Sequence, residues 1–398
     1  ELMIYRFLFV FFISFNAWAQ HSYIDYASPY HPTINQRGMV VSQNIDSSKI
    51  GIEILDMGGN AIDAAVAVGF SLAVTLPRAG NLGGAGFMLV YLKERDEIIA
   101  VDYLGSSPNN SNLQDLFGVK LPRNYEKADR DIVRYGYKAS TVPGTVAGLI
   151  EAHTNFGRLP LGSILKPVIE QARNGIKVSY DLYMALKSSS QLKKNPESRK
   201  IFFSNGSAVK ENTILKREYL AQTLEKIAAE GKKGFYEGET AQKIVAAMHN
   251  NGGFVSLEDL KNYRPRFSEP IRTAYRGNPI FAPRPPSGGA IVVLDALNIL
   301  ENFALGKYKS NSSATYHLLA EALRRGHMDR SRHIGDPSFY DVPVESIISK
   351  KRARELKKTI NFKSASSYKS MSPDDFLEES KDTTHYSIID EDGNAVSN

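Results

Sequence analysis

The sequence predicts a mixed α/β protein, and three observations carry that expectation. A glycine-rich turn, Gly80-Asn81-Leu82-Gly83-Gly84-Ala85-Gly86, feeds a run of strand-forming residues at 87–92. A second such run, 98–103, follows across a short polar link, the pattern of a hairpin. Ahead of the turn, residues 61–74 read as a helix rich in small side chains (Ala61, Ala64, Ala65, Ala67, Gly69), able to pack closely on a sheet or another helix. Asp63 and the shortness of that run make it a buried helix rather than a membrane span.

The elements follow in order. Residues 38–42 form a short strand. Asp46 or Ser47 caps a helix carrying Ile50, Ile54 and Leu55, which Gly58-Gly59 stops. Asn60 caps the small-residue helix. The glycines at 80–86 lack the Gly-Lys-Ser/Thr ending of a phosphate loop, and they lead into a strand rather than a helix. Close approach of packed layers explains them better. Residues 106–134 are polar and read as a surface excursion. Helices are expected at 145–154, at 161–174 with Gly175 as the stop, and through a charged stretch at 179–232. Another runs over 239–250, and Ser256 with Asp259 makes a capping box. Strand-like pieces lie between 263 and 276. Helices return at 290–303, 317–332 and 347–360, the last strongly basic.

Composition limits the classes of function. The 398 residues are 42% hydrophobic and 23% charged, with a formal charge of +6. Basic residues are scattered rather than striped, so nothing points to nucleic acid. There is no cysteine, which excludes disulfides, a Cys nucleophile and Cys-ligated zinc. No motif calls for a metal or organic cofactor. At the N-terminus Arg6 precedes the apolar run 7–15, and Ala17-Trp18-Ala19 fits a small-x-small cleavage site. A signal peptide over 1–19 is expected, hence a periplasmic or secreted protein with no stable membrane span; an uncleaved anchor is the alternative.

The chemistry concentrates in Lys381-Asp382-Thr383-Thr384-His385-Tyr386-Ser387. Residues 387–390 read as a strand, Asp392-Gly393 as a hairpin turn, and Asn394-Ala395-Val396 as the return. Thr383 then stands at or near the start of the first strand. Thr-Thr also suits an ordinary strand. A Thr hydroxyl becomes a nucleophile only when a base takes its proton. Cutting the chain just before a Thr supplies such a base, an α-amino group with a pKa near ~7.7–8.0. On a strand His385 would share the face of Thr383 but lie about 6–7 Å along it, which favours a structural role.

Thr383-Thr384-His385-Tyr386-Ser387, followed by Asp392-Gly393-Asn394-Ala395-Val396, resembles the maturation site of the γ-glutamyltransferases (γ-glutamyltranspeptidases), a family of N-terminal-nucleophile hydrolases. The resemblance extends over residues 27–398. It includes Met57-Gly58-Gly59-Asn60-Ala61-Ile62-Asp63-Ala64-Ala65, Gly80-Asn81-Leu82-Gly83-Gly84, residues 136–148 and Pro285-Pro286-Ser287-Gly288-Gly289. It implies a four-layer αββα sandwich. It implies self-cleavage of the Asp382–Thr383 bond, with 20–382 as the large-subunit region and 383–398 as the start of a small subunit that stays associated. Thr383 becomes the catalytic nucleophile, acting on glutathione and related γ-glutamyl compounds, with water or an amino acid or peptide as acceptor. The family's oxyanion donors and amino-group ligands correspond to positions beyond Asn398. The 398 residues by themselves are therefore expected to lack turnover.

One departure matters. Where the family carries an Arg that holds the substrate α-carboxylate, this chain has Leu104. Loss of one partner of such a charge pair costs about 2–5 kcal/mol at interfaces. Another base such as Arg78 replaces it, or the substrate lacks that carboxylate, or the loop aligns differently. Three functional readings follow: a γ-glutamyltransferase and hydrolase, an acylase or amidase of the same family, and a non-catalytic secreted homologue.

Overall fold

Asn60 begins the element around which the rest is packed. Its side-chain oxygen accepts from the backbone N–H groups of Ile62 and Asp63, both at 3.0 Å, and Asp63 accepts from the N–H of Asn60 at 3.1 Å. This reciprocal box starts helix α2, Ala61–Thr75, preceded by α1, Ile45–Asp56, and strand β1, Gly38–Val41. The computed structural model describes residues 33–111, 135–366 and 383–398. The expected signal segment and Asp382 lie outside them. Arg37–Asn398 forms one compact unit.

Hairpin β2, Phe87–Leu92, and β3, Glu97–Asp102, follows α2. Helices α3, Thr145–Phe156, α4, Leu161–Asn174, α5, Tyr180–Ser188, and α6, Glu218–Glu230, come next. Strands β4, Arg266–Ser268, β5, Ile271–Tyr275, and β6, Asn278–Ala282, precede α7, Gly288–Leu300, α8, Ser313–His333, and α9, Lys350–Lys358. The described residues end in hairpin β7, Ser387–Asp390, and β8, Ala395–Ser397.

Six of these strands form one antiparallel sheet in the order β1-β7-β8-β2-β3-β4. The hairpin that follows Thr383 is thus the middle of the sheet. Its register pairs Val40 with Ile388, Ile388 with Val396, and Val396 with Val90. Those side chains share the face covered by α1 and α2, and Val90, Ile388 and Val396 are buried there. Period-2 alternation puts Val41 and Ile389 on the opposite face, where they are 56% and 50% exposed. An apolar sheet face of this kind is the surface that a second sheet covers in the αββα sandwich.

The small residues of α2 let it pack against α1, α3 and α4 at once, and every residue of α2 except Gly69 is buried. Its buried hydroxyls satisfy one another. Ser47 of α1 bonds Ser71 at 2.8 Å and Thr75 at 2.9 Å, and Ser71 donates to Gln171 of α4 at 2.7 Å. No helix among the described residues is long and apolar enough to cross a membrane.

Three local expectations differ from the structure. Asn44, not Asp46 or Ser47, caps α1, because its side-chain oxygen takes the N–H groups of both those residues. The stretch 179–232 is not continuously helical. Asn205 and Gly206 adopt positive φ and turn Phe203–Ser204 back onto Ser207–Ala208. The basic stretch 347–360 is broken at Ser349, whose hydroxyl accepts from the N–H of Arg352 and starts α9 afresh.

A second core joins α7, α8 and α9 around a buried charge cluster. Arg352 of α9 grips Asp329 of α8 with two bonds, at 2.5 and 2.7 Å. Asp295 of α7 is fully buried, 3.9 Å from Arg352, and its oxygens lack hydrogen-bond partners among the described residues. Burial, then the charge of Asp329, pushes the Asp295 carboxyl up to about 7, against the pull of Arg352. Between its ordinary value of 3.8 and about 7, the folded chain holds a proton that the unfolded chain has released. The contribution of Asp295 to stability is therefore greatest below that window and is lost as pH rises through it. Asn at position 295 mimics the neutral acid. D295N should gain about 2–3 kcal/mol relative to wild type between pH 5 and pH 8. Urea unfolding at both pH values measures this, and a difference that does not change with pH would refute it.

Candidate active site

Thr383 lies in a cleft of about 560 Å³ whose lining includes Arg78, Asn81, Gly84, Tyr103, Thr145, Thr384, Tyr386 and Asn398. The hairpin after it explains how Thr383 reaches that place. Asp390, at the end of β7, is buried and accepts from the backbone N–H of Ala61 at 2.8 Å. It also accepts from the N–H of Asn394 at 2.8 Å and from its side-chain amide at 2.9 Å. One carboxylate thus closes the hairpin turn and seats it on the positive end of α2. Gly393, at φ +85°, supplies the left-handed residue that this turn requires. Arg158 adds a bond to Asp392 at 2.8 Å on the surface.

The pairing extends past the strand ends. Tyr386 and Asn398 exchange backbone bonds at 3.0 and 2.9 Å. Thr383 precedes this pair by three residues, so it stands clear of the ladder rather than at the first position of the strand. It is exposed to the cleft. Tyr386 forms the cleft floor against α2, where a Cβ on Gly69 would sit 2.7 Å from its hydroxyl. Gly69 therefore makes room for the ring.

The glycine-rich turn forms another wall. The carbonyl of Gly84 accepts from the N–H groups of Gly144 at 2.9 Å and Thr145 at 3.1 Å, joining the turn to the start of α3. A Cβ on Gly80 would meet the backbone of Leu72 at 2.8 Å, and one on Gly86 would meet the Tyr103 ring at 2.7 Å. The glycines serve close approach of layers, as the sequence suggests.

The cleft's electrostatics are simple. Among the described lining residues there is no Asp, Glu, His or Lys; Arg78 is the cation. Tyr103 donates to the side-chain oxygen of Asn398 at 2.6 Å. Burial pushes the Tyr103 phenol well up from its ordinary value, and burial does the same to Tyr386. Both phenols stay protonated at neutral pH and are not bases. The Thr384 hydroxyl is buried without a hydrogen-bond partner among the described residues.

His385 points elsewhere, with its Nε2 2.9 Å from the hydroxyl of Ser387, and it does not line the cleft. Leu104 is also outside the lining. Its N–H donates to Asp102 at 2.9 Å, its carbonyl accepts from Tyr263 at 2.7 Å, and its side chain is 39% exposed. The structure therefore brings Thr383 and Arg78 together and leaves Leu104 apart. Sequence reasoning did not single out Tyr103, Thr145 or Asn398 as cleft residues. The Tyr103–Asn398 bond joins residues far apart in the chain, and no local pattern signals it.

The gamma-glutamyltranspeptidase family profile matches residues 47–398. The chain is 38% identical over 370 residues to the glutathione hydrolase proenzyme of Escherichia coli (strain K12), covering 92% of this chain and 63% of that protein. It is 34% identical over 376 residues to the acylase ACY 1 proenzyme of Pseudomonas sp. (strain V22), covering 94% and 66%. Its fold matches the gamma-glutamyltranspeptidase of Helicobacter pylori with a TM-score of 0.80 at 34% identity, covering 88% of this chain and 100% of that one. It matches the cephalosporin acylase of Bacillus halodurans with a TM-score of 0.77 at 29% identity, covering 94% and 68%. The chain thus spans a little under two thirds of the curated relatives' length.

If Asp390 ties the hairpin to α2, Asp390→Ala removes its hydrogen bonds and leaves the Ala61 N–H buried without an acceptor. The expected loss is about 2–4 kcal/mol. Chemical denaturation should show it as a lower midpoint with an unchanged slope. A shift equivalent to less than about 0.5 kcal/mol would mean that the clamp is not needed.

Proposed function

The chain belongs to the gamma-glutamyltranspeptidase family, and from that premise we propose that the whole protein is a self-cleaving γ-glutamyltransferase and glutathione hydrolase with Thr383 as its nucleophile. The observation that carries this reading is the composition of the cleft. Thr383 is exposed there, and no carboxylate, imidazole or lysine among the described lining residues can take its proton. A freed α-amino group on Thr383 meets the need without any further residue.

Cleavage of the Asp382–Thr383 bond consumes one water, and the new amine belongs to Thr383. That amine accepts the proton of Oγ1 as Oγ1 attacks the γ-carbonyl of the donor. The C–N bond of the amide breaks, the leaving amine takes the proton, and the γ-glutamyl group is held as an ester on Thr383. Water then releases glutamate, or an acceptor amine takes the acyl group. The N-terminal segment 1–19 supports export, with action in the periplasm or outside the cell. A same-family acylase is the second reading, favoured by Leu104 and by the likeness to the acylases.

The test uses the complete gene product. A denaturing gel with N-terminal sequencing should show two fragments, the smaller beginning Thr-Thr-His-Tyr-Ser. Thr383→Ala should remain one chain and lose about 10⁴-fold or more in turnover of γ-glutamyl-p-nitroanilide, the scale lost with a nucleophile. An uncut wild-type chain, or a T383A chain that still cuts, would sink the proposal.

A further inference from the structure

Three glycines give way to Tyr103, the residue just past the end of β3. A Cβ on Gly148 of α3 would lie 2.2 Å from its ring, one on Gly86 would lie 2.7 Å from its hydroxyl, and one on Gly144 would lie 2.0 Å from its carbonyl oxygen. The ring is buried, and Tyr103 and Gly86 exchange backbone bonds at 3.0 and 3.4 Å. Close packing on this scale holds both ring and backbone, so the phenol oxygen has one place. That place is 2.6 Å from the side-chain oxygen of Asn398.

Asn398 is held from the other side by its backbone. Its N–H donates to the carbonyl of Tyr386 at 2.9 Å, and its carbonyl accepts from the N–H of Tyr386 at 3.0 Å. Residues directly opposite in an antiparallel pair send their side chains to the same face. Asn398 therefore stands beside Tyr386, the cleft floor. Its amide has two orientations, and Tyr103 selects one. Burial keeps the phenol protonated, so it donates, and the oxygen of Asn398 faces it. With the amide turned over, the phenol proton would be buried without an acceptor among the described residues. The amide nitrogen consequently faces away from Tyr103, and no described group accepts from it.

We propose that Asn398 is a substrate-binding residue of the Thr383 cleft and that Tyr103 is its positioning residue: the phenol fixes the amide so that its two N–H groups donate to an acceptor oxygen of the acyl donor. The assignment rests on the acyl-transfer reading of Thr383. It adds to that reading an uncharged hydrogen-bond donor, whose orientation is set by a residue of another strand.

The test is a double-mutant cycle on the complete, self-cleaved gene product, read as kcat/KM. The donors are γ-glutamyl-p-nitroanilide and glutaryl-p-nitroanilide, which keeps the chain and lacks the amine. Tyr103→Phe removes the hydroxyl alone and should lower kcat/KM by about 3-fold or more. Asn398→Ala should lower it by about 10-fold. Because Tyr103 acts through Asn398, adding Tyr103→Phe to Asn398→Ala should change kcat/KM by less than about 1.5-fold. Asn398→Asp keeps the oxygen that faces Tyr103 and removes the N–H donors, so it should lose about 10-fold or more.

A merely structural Tyr103 would cause the same loss with or without Asn398, and equal losses in the two backgrounds would overturn the proposal. So would wild-type kcat/KM in Tyr103→Phe, Asn398→Ala or Asn398→Asp. If Tyr103→Phe fails to self-cleave, the two Asn398 variants decide alone. Asn398 variants that fold but stay uncut would assign the residue to maturation and overturn its role toward the donor. Turnover of the glutaryl donor alone would favour the acylase reading, and the same cycle on that donor would decide the proposal. Wild-type protein that cleaves yet turns over neither donor would overturn the acyl-transfer reading, and the proposal with it.

Discussion

The structure depends on one carboxylate, that of Asp390, at the N-terminus of α2. Three backbone donors open that helix, and all are met: Ala61 by Asp390, and Ile62 and Asp63 by Asn60. Asp63 in turn holds the loop after α3 through the N–H groups of Arg158 and Leu159. The hairpin of β7 and β8 is thereby pinned in the middle of the sheet, between β1 and β2. Without it the two outer parts of the sheet share no ladder. The hairpin that follows Thr383 thus also completes the core, so the place of Thr383 is set by folding itself.

This arrangement has a chemical consequence. Glycine turns, a helix start and protonated phenols bound the cleft, and its described lining residues include no carboxylate, imidazole or lysine. Burial keeps Tyr103 and Tyr386 neutral, which suits them to donate hydrogen bonds and unsuits them to remove a proton.

Much of this was legible in the sequence because the signals are local. The Asn60 cap, the Ser256–Asp259 capping box, the Gly175 stop and the Asp392-Gly393 turn are each written within a few residues, and each is present in the structure. The hairpin that follows Thr383 was readable from its turn chemistry. What failed locally failed for a physical reason. Ser47 looked like a cap by type, yet burial among Ser71 and Thr75 gives its hydroxyl another role. Asn205-Gly206 was hidden within a charged stretch that seemed helical by composition. The cleft wall made by Tyr103, Thr145 and Asn398 could not be read at all, since it is assembled by sheet register rather than by sequence neighbours.

Position 104 is fixed by its backbone rather than by its side chain. Leu104 is held by its backbone, through Asp102 on one side and Tyr263 on the other. Asp102 is itself tied to Arg266 of β4 at 2.9 Å, so the end of β3 is braced whatever side chain follows it. The Leu104 side chain, 39% exposed, adds little to that bracing. The turn carrying Arg78 is held by close glycine contacts at Gly80 and backbone bonds to Gly84, with the Arg78–Asp181 ion pair beside them. A scaffold fixed by backbone contacts is compatible with relatives that include both glutathione hydrolase and acylase proenzymes.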